Sequence, residues 1–211
     1  MEPPDRSPLT DQPPARRVLV IGCGAMAHEL LDVIGRNGLD GLEMTCLPAQ
    51  YHNTPQLIPA AVEEKILAAR DAYDQVFVAY GDCGTGGLLD KVLQRHGVER
   101  LPGAHCYEFL AGASRFAALH EAEPTTFYLT DFLVKHFDRL VWRGLGLDRW
   151  PQLLTDYFGN YTRVVYLAQR HDPELDAKAA EAAERLGLAF ERLQVGYGEL
   201  EPALVEIGRS A

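Results

Sequence analysis

The sequence lacks three features that would each have placed it in a familiar class. It has no excess of basic residues: 20 Lys and Arg stand against 30 Asp and Glu, giving a formal charge of -10. Nucleic-acid binding rests on clustered cations that displace counterions from phosphates, and no such cluster is present, so no nucleic-acid partner is expected. It has no apolar run near the ~20 residues that a membrane helix requires, and residues 1–15, MEPPDRSPLTDQPPA, hold no apolar stretch of the signal-peptide kind. No membrane partner is expected, and a cytoplasmic location is. Finally, the four cysteines at positions 23, 46, 83 and 106 form no CxxC pair, so the close ligand spacing of zinc fingers and ferredoxins is missing. In a reducing cytosol these residues are free thiols, ligands or redox groups rather than a disulfide frame.

What is present is a regular alternation of strand-like and helix-like segments. Residues 1–15 are rich in Pro and polar residues without periodicity, which predicts a disordered tail. Residues 16–211, in a chain that is 47% hydrophobic, are expected to form a single α/β domain. A β-rich run over 17–21 leads through Gly22, Cys23 and Gly24 into a helix whose apolar stripe is Met26, Leu30, Leu31, Val33 and Ile34. A strand over 44–47, a loop carrying His52 and Asn53, and a helix over 55–70 come next. A buried strand over 75–80, a Gly-rich turn over 81–87, a helix over 88–95 and a short strand over 98–101 repeat the pattern. In the second half the periodicity predicts helices over 107–119, 131–142, 173–186 and 199–207, with strands over 126–129, 163–168 and 189–194. The expected fold is a mostly parallel sheet flanked by helices, a flavodoxin- or Rossmann-like three-layer sandwich, built as one sheet or as two small α/β halves.

Each cysteine stands where a strand hands over to the next segment, at the edge where open α/β sheets assemble their sites. If the first strand lies between the second and third, Cys23 and Cys83 come close together, because neighbouring strands are only about 5 Å apart. Cys106 joins from beside the third strand, His52 swings in on its loop, and Cys46 lies on the far side. Cys23, His52, Cys83 and Cys106 are therefore the expected metal ligands. Three thiolates and an imidazole suit zinc, whereas four thiolates, with Cys46 included, suit an iron–sulfur cluster. A buried free Cys is ordinarily a small hydrophobe, and Cys46, set between Met44 and Leu47, fits that description best.

Other residues have two readings each. Glu29 and Glu108, near the expected ligands, are candidate proton carriers, or else acidic residues placed in the first turn of a helix. Gly81, Asp82, Gly84, Thr85 and Gly86 form a Gly-rich turn before a helix, where backbone N–H groups can cradle a phosphate or carboxylate. This turn matches neither the Walker pattern nor the GxGxxG fingerprint. GCGAMA, beginning at Gly22, matches G-x-G-x-x-A, but no acidic residue ends the second strand to hold a ribose. Taken alone, these turns read as a non-catalytic nucleotide- or small-molecule-binding module.

The ordered motifs Cys23-Gly24, Leu47-Pro48 with His52-Asn53, Tyr80-Gly81-Asp82-Cys83-Gly84, His105-Cys106-Tyr107-Glu108 and Phe127-Tyr128-Leu129-Thr130 resemble those of the domain-of-unknown-function family numbered 1638. The resemblance implies that Cys23, His52, Cys83 and Cys106 are characteristic positions and Cys46 is less so. It also implies a part in corrinoid- and folate-linked one-carbon metabolism, as an accessory factor or methyl-transfer enzyme. A corrinoid protein or corrinoid methyltransferase is the partner it suggests, and an iron–sulfur redox protein serving a corrinoid centre is the alternative.

Overall fold

Alternation along the first strand builds a sheet that is buried on both sides. In β1 (Val18–Cys23), Val18 and Val20 pack with Leu30 and Val33 of α1 (Ala27–Arg36). Leu19, Ile21 and Cys23 point the other way, into a core formed by Ile58, Val62 and Ile66 of α2 (Ile58–Ala69) and by Leu89, Val92 and Leu93 of α3 (Leu88–His96). A strand covered on both faces reads as a continuous apolar run, as VLVI does here. With β2 (Leu42–Leu47), β3 (Gln75–Ala79) and β4 (Glu99–Arg100) it forms a parallel sheet of order β2-β1-β3-β4. The first strand thus lies between the second and third, as the cysteine geometry required. The computed structural model describes residues 16–210, and the tail expected over residues 1–15 lies outside the described residues.

The second half forms its own parallel sheet of order β5-β6-β7, from β5 (Thr126–Thr130), β6 (Arg163–Ala168) and β7 (Ala189–Gln194). The alternative of two α/β halves is therefore the one realised. One face of this sheet carries Leu129, Val164 and Tyr166 against Leu175, Ala179 and Ala183, which belong to a helix spanning Pro173–Leu186. The other face carries Tyr128, Val165 and Leu167 against Phe116 and Leu119. The C-terminal helix, Leu200–Arg209, returns to the first half, where Leu200 and Leu204 join the core beneath α1. The Tyr197 hydroxyl donates to Asp32 at 2.7 Å and fixes that return.

Two helices differ from their sequence reading. The helix expected over 107–119 is two helices, α4 (Cys106–Ala111) and α5 (Ala113–Ala122). They part at Gly112, whose φ of +84 is conformationally cheap only for glycine. The helix expected over 131–142 is the short α6 (Asp131–Lys135) followed by a π-helical turn, Asp138–Trp142. Such turns recur at functional sites. In addition, β1 extends beyond the expected 17–21, so Cys23 is the last strand residue rather than part of the turn.

Candidate metal centre

The centre lies at the carboxyl end of the first sheet. Cys23 ends β1, and its Sγ accepts the Ala25 N–H at 3.3 Å, capping the 3-10 turn Gly24–Met26. His52 sits in the 3-10 segment Ala49–Asn53, which is joined to β2 through Pro48. Its Nδ1 is 3.7 Å and its Nε2 4.0 Å from Cys23 Sγ, and Nδ1 is 3.0 Å from the Ala49 carbonyl oxygen. Burial works to lower the imidazole pKa, but hydrogen bonding to Cys23 and Cys83 and their thiolate charge outweigh it and push the pKa up. The residue keeps one side open to solvent, which screens part of that effect.

Cys83 is held by two loops at once. Its N–H donates to the Ala104 carbonyl at 2.8 Å, and the Asp82 N–H donates to the Gly103 carbonyl at 3.0 Å. Gly81 makes this pairing feasible, since a Cβ there would stand 3.1 Å from the His105 nitrogen and 3.2 Å from the Gly103 oxygen. Cys83 itself has φ +50, the only non-glycine positive φ among the described residues. That conformation is costly for a residue with a Cβ, and such strain concentrates at functional sites.

The Gly-rich turn binds a carboxylate, and the carboxylate is the chain's own. Asp82 accepts from the Thr85 hydroxyl at 2.6 Å, from the Gly86 N–H at 3.0 Å and from the Gly87 N–H at 2.8 Å. Burial raises its pKa, but these three donors and the Arg100 charge outweigh burial and hold it below the usual carboxylate range. The cradle expected at Gly81, Asp82, Gly84, Thr85 and Gly86 thus carries an internal anion, whose effect is to shape the loop around Cys83.

Cys106 is the first residue of α4 and is half-buried. Burial, then negative charge at Cys83 and Cys23, pushes its thiol pKa up, against the pull of its own and the Tyr107 backbone N–H. A bound cation reverses such a balance, because it holds the thiolate form. Cys46 is placed differently. In the parallel register it pairs with Gly22 while Cys23 pairs with Leu47, and successive strand residues face opposite sides. The Cys46 sulfur lies 3.5 Å from where a Gly22 Cβ would be, against the core beneath α1. Burial, then charge at Cys23, pushes its thiol up to about 11.

Tyr80 is the participant that the sequence reading missed. It directly follows β3, is 1% exposed, and has a hydroxyl with no hydrogen-bond partner. Its ring lies nearly parallel to that of His52, 6.3 Å between centroids. Burial, then negative charge at Cys23 and Cys83, drives its pKa far above the phenolic value. The available signal was a polar hydroxyl closing an otherwise apolar buried strand, since buried hydroxyls normally find a partner.

Glu108 and Glu29 occupy different surroundings. Glu108 accepts the Ala104 N–H at 2.8 Å, closing the turn that leads into α4. Glu29 is 5% exposed, with Oε2 buried and unpartnered. It lines a small cavity with His28, Asp131, Lys135 and Arg170. Among the described residues, no group of three or more Cys, His, Asp or Glu is arranged to hold a metal as it stands. Of the four expected ligands, Cys23 and His52 are a pair already in ligand-like separation. His52 and Cys106 also line one cavity between the two halves, of about 220 Å³, whose opposite wall includes Thr130, Phe132, Leu133, Leu140 and Val141.

A family model described as "Protein of unknown function (DUF1638)" matches residues 46–204. The matched segment contains His52, Cys83 and Cys106 and begins after Cys23. No curated protein matches the sequence.

Proposed function

The chain belongs to the DUF1638 family, and we propose that it is a metal-binding protein in which Cys23, His52, Cys83 and Cys106 hold a divalent ion, with zinc the best fit. The observation that carries this reading is the placement of His52. Nδ1 lies 3.0 Å from the Ala49 carbonyl oxygen and Nε2 4.0 Å from Cys23 Sγ, so that when a metal takes the place of the Nε2 proton, Nδ1 can keep its own proton on the carbonyl. A backbone carbonyl on one ring nitrogen and a metal on the other is the usual arrangement of a ligating histidine. Tetrahedral zinc, with ligand distances of ~2.3 Å to sulfur and ~2.1 Å to nitrogen, separates two such ligands by about 3.6 Å. A small rotation of the His52 side chain closes that difference. The unpartnered Tyr80 hydroxyl beside the thiols is suited to donate to a coordinated sulfur.

Zinc would keep the thiols deprotonated and nucleophilic at neutral pH. That chemistry suits the setting proposed here, corrinoid- and folate-linked methyl-group metabolism, with a corrinoid protein or corrinoid methyltransferase as partner. An iron–sulfur cluster on four thiolates is less favoured, because Cys46 points to the opposite face from Cys23.

Anaerobic purification without a metal-binding tag, followed by elemental analysis and an absorption spectrum, tests the reading. Colourless protein with near-stoichiometric zinc is expected, with zinc lost in Cys23→Ser, Cys83→Ser and Cys106→Ser and retained in Cys46→Ser. Iron and sulfide lost also in Cys46→Ser would establish the cluster instead, and folded metal-free wild type would overturn both.

A further inference from the structure

The cavity shared by His52 and Cys106 differs in chemistry from the thiol cluster beside it. Its lining, taken among the described residues, includes no Asp, Glu, Lys or Arg. The first half supplies His52 and Cys106, while the second half supplies Phe132 and Leu133 from α6 and Leu140 and Val141 from the π-helical turn. Against the wall of Phe132, Leu133, Leu140 and Val141 a charged group loses its hydration without gaining a counter-charge, since the charge of the centre lies at the other end, with His52 and Cys106. A neutral one loses little.

Gln50, Asn53 and Tyr107 add polar atoms to the lining, and of the uncharged polar side chains Thr130 is the one that is buried and so fixed in place. Thr130, 6% exposed, caps α6 by accepting the Leu133 N–H at 3.4 Å, which leaves its own O–H to donate. A mostly apolar cavity with few placed polar groups is the usual form of a small-molecule site. At about 220 Å³ it is smaller than the ~300–1,000 Å³ of pockets for drug-sized ligands.

We propose that this cavity is the substrate pocket of the Cys/His centre and that it takes a small, uncharged, mainly apolar molecule bearing one hydrogen-bond acceptor. The acceptor meets the Thr130 hydroxyl, and the opposite end of the molecule meets Cys106 and His52. The proposal rests on the metal-centre reading for its chemistry and on the cavity lining for its selectivity, and the two are separable by experiment.

Three probes of nearly one shape, benzamide, benzoate and benzamidinium, distinguish charge from size. Each is titrated calorimetrically into the full-length protein as purified, alongside Leu140→Trp and Leu133→Trp, two half-buried positions whose larger side chains fill the cavity from the wall away from the thiols. Benzamide is expected to bind roughly tenfold or more tighter than either charged probe. Either Trp variant is expected to weaken it by a similar factor with metal content unchanged. Equal or tighter binding of a charged probe, no binding of benzamide, or binding undiminished in both variants would overturn the pocket assignment. Metal-free protein that still shows the neutral preference sinks the metal reading and leaves the pocket standing.

Discussion

Cys23 Sγ lies 3.7 Å from Nδ1 of His52, although the two residues are 29 positions apart in the chain. The parallel pairing of β1 with β2, Cys23 opposite Leu47, brings them together. The 3-10 segment after Pro48 then folds His52 back over the end of its neighbouring strand. No local motif contains both residues, so the contact is a product of sheet topology.

Cys83 adopts a left-handed backbone conformation at φ +50 that a Cβ makes unfavourable by about 1–2 kcal/mol. Cys83→Gly is therefore expected to be more stable than Cys83→Ala by about 1 kcal/mol, while both lose the metal. Urea unfolding of the two variants checks the order. If Ala is the more stable, the backbone is not strained there.

Glu108 closes the turn before α4 through the Ala104 N–H, so Glu108→Ala should lower stability by about 1 kcal/mol. Its metal content should match wild type. Unchanged stability together with lost metal or lost proton-transfer chemistry would instead favour the role of proton carrier.

Glu29 has a raised pKa, first through burial, with Asp131 adding to it and His28 and Arg170 opposing. Lys135 also faces the same cavity. The folded state therefore holds a proton that the unfolded chain has already released in the ordinary carboxylate range. That contribution to stability is complete below the unfolded pKa and is lost as pH rises through the raised folded value. Glu29→Gln should flatten this decline, which chemical denaturation at a series of pH values will show. A decline of the same slope in the variant assigns it to another group.

Much of this could be read from the sequence because it is local. The VLVI run, the helical stripe after Gly24, and the segments 163–168, 173–186 and 189–194 obey the periods of strand and helix, and the structure reproduces the last three boundaries. The placement of Cys23 at the end of its strand and of Cys83 in the loop after the third strand was equally legible, because a parallel sheet puts those ends on one edge. Cys106 instead opens a helix six residues past the fourth strand. The break at Gly112 and the π-helical turn at Asp138–Trp142 were not. Both lie within patterns whose apolar spacing suits a continuous helix, and other contacts decide them, as where Ala113 N–H finds the Glu199 carboxylate 86 residues away.

The sequence by itself determined the alternating α/β character, the parallel strands and a set of thiols at their carboxyl ends, since each depends on residue order and period alone. Tertiary structure decided which of them can meet. Strand register turned Cys46 to the opposite face, and Asp82 filled the Gly-rich turn and bent it around Cys83. Packing of the two halves set the apolar wall from Phe132 to Val141 against His52 and Cys106. These outcomes depend on which distant surfaces meet, and the period of a strand or helix carries no record of that.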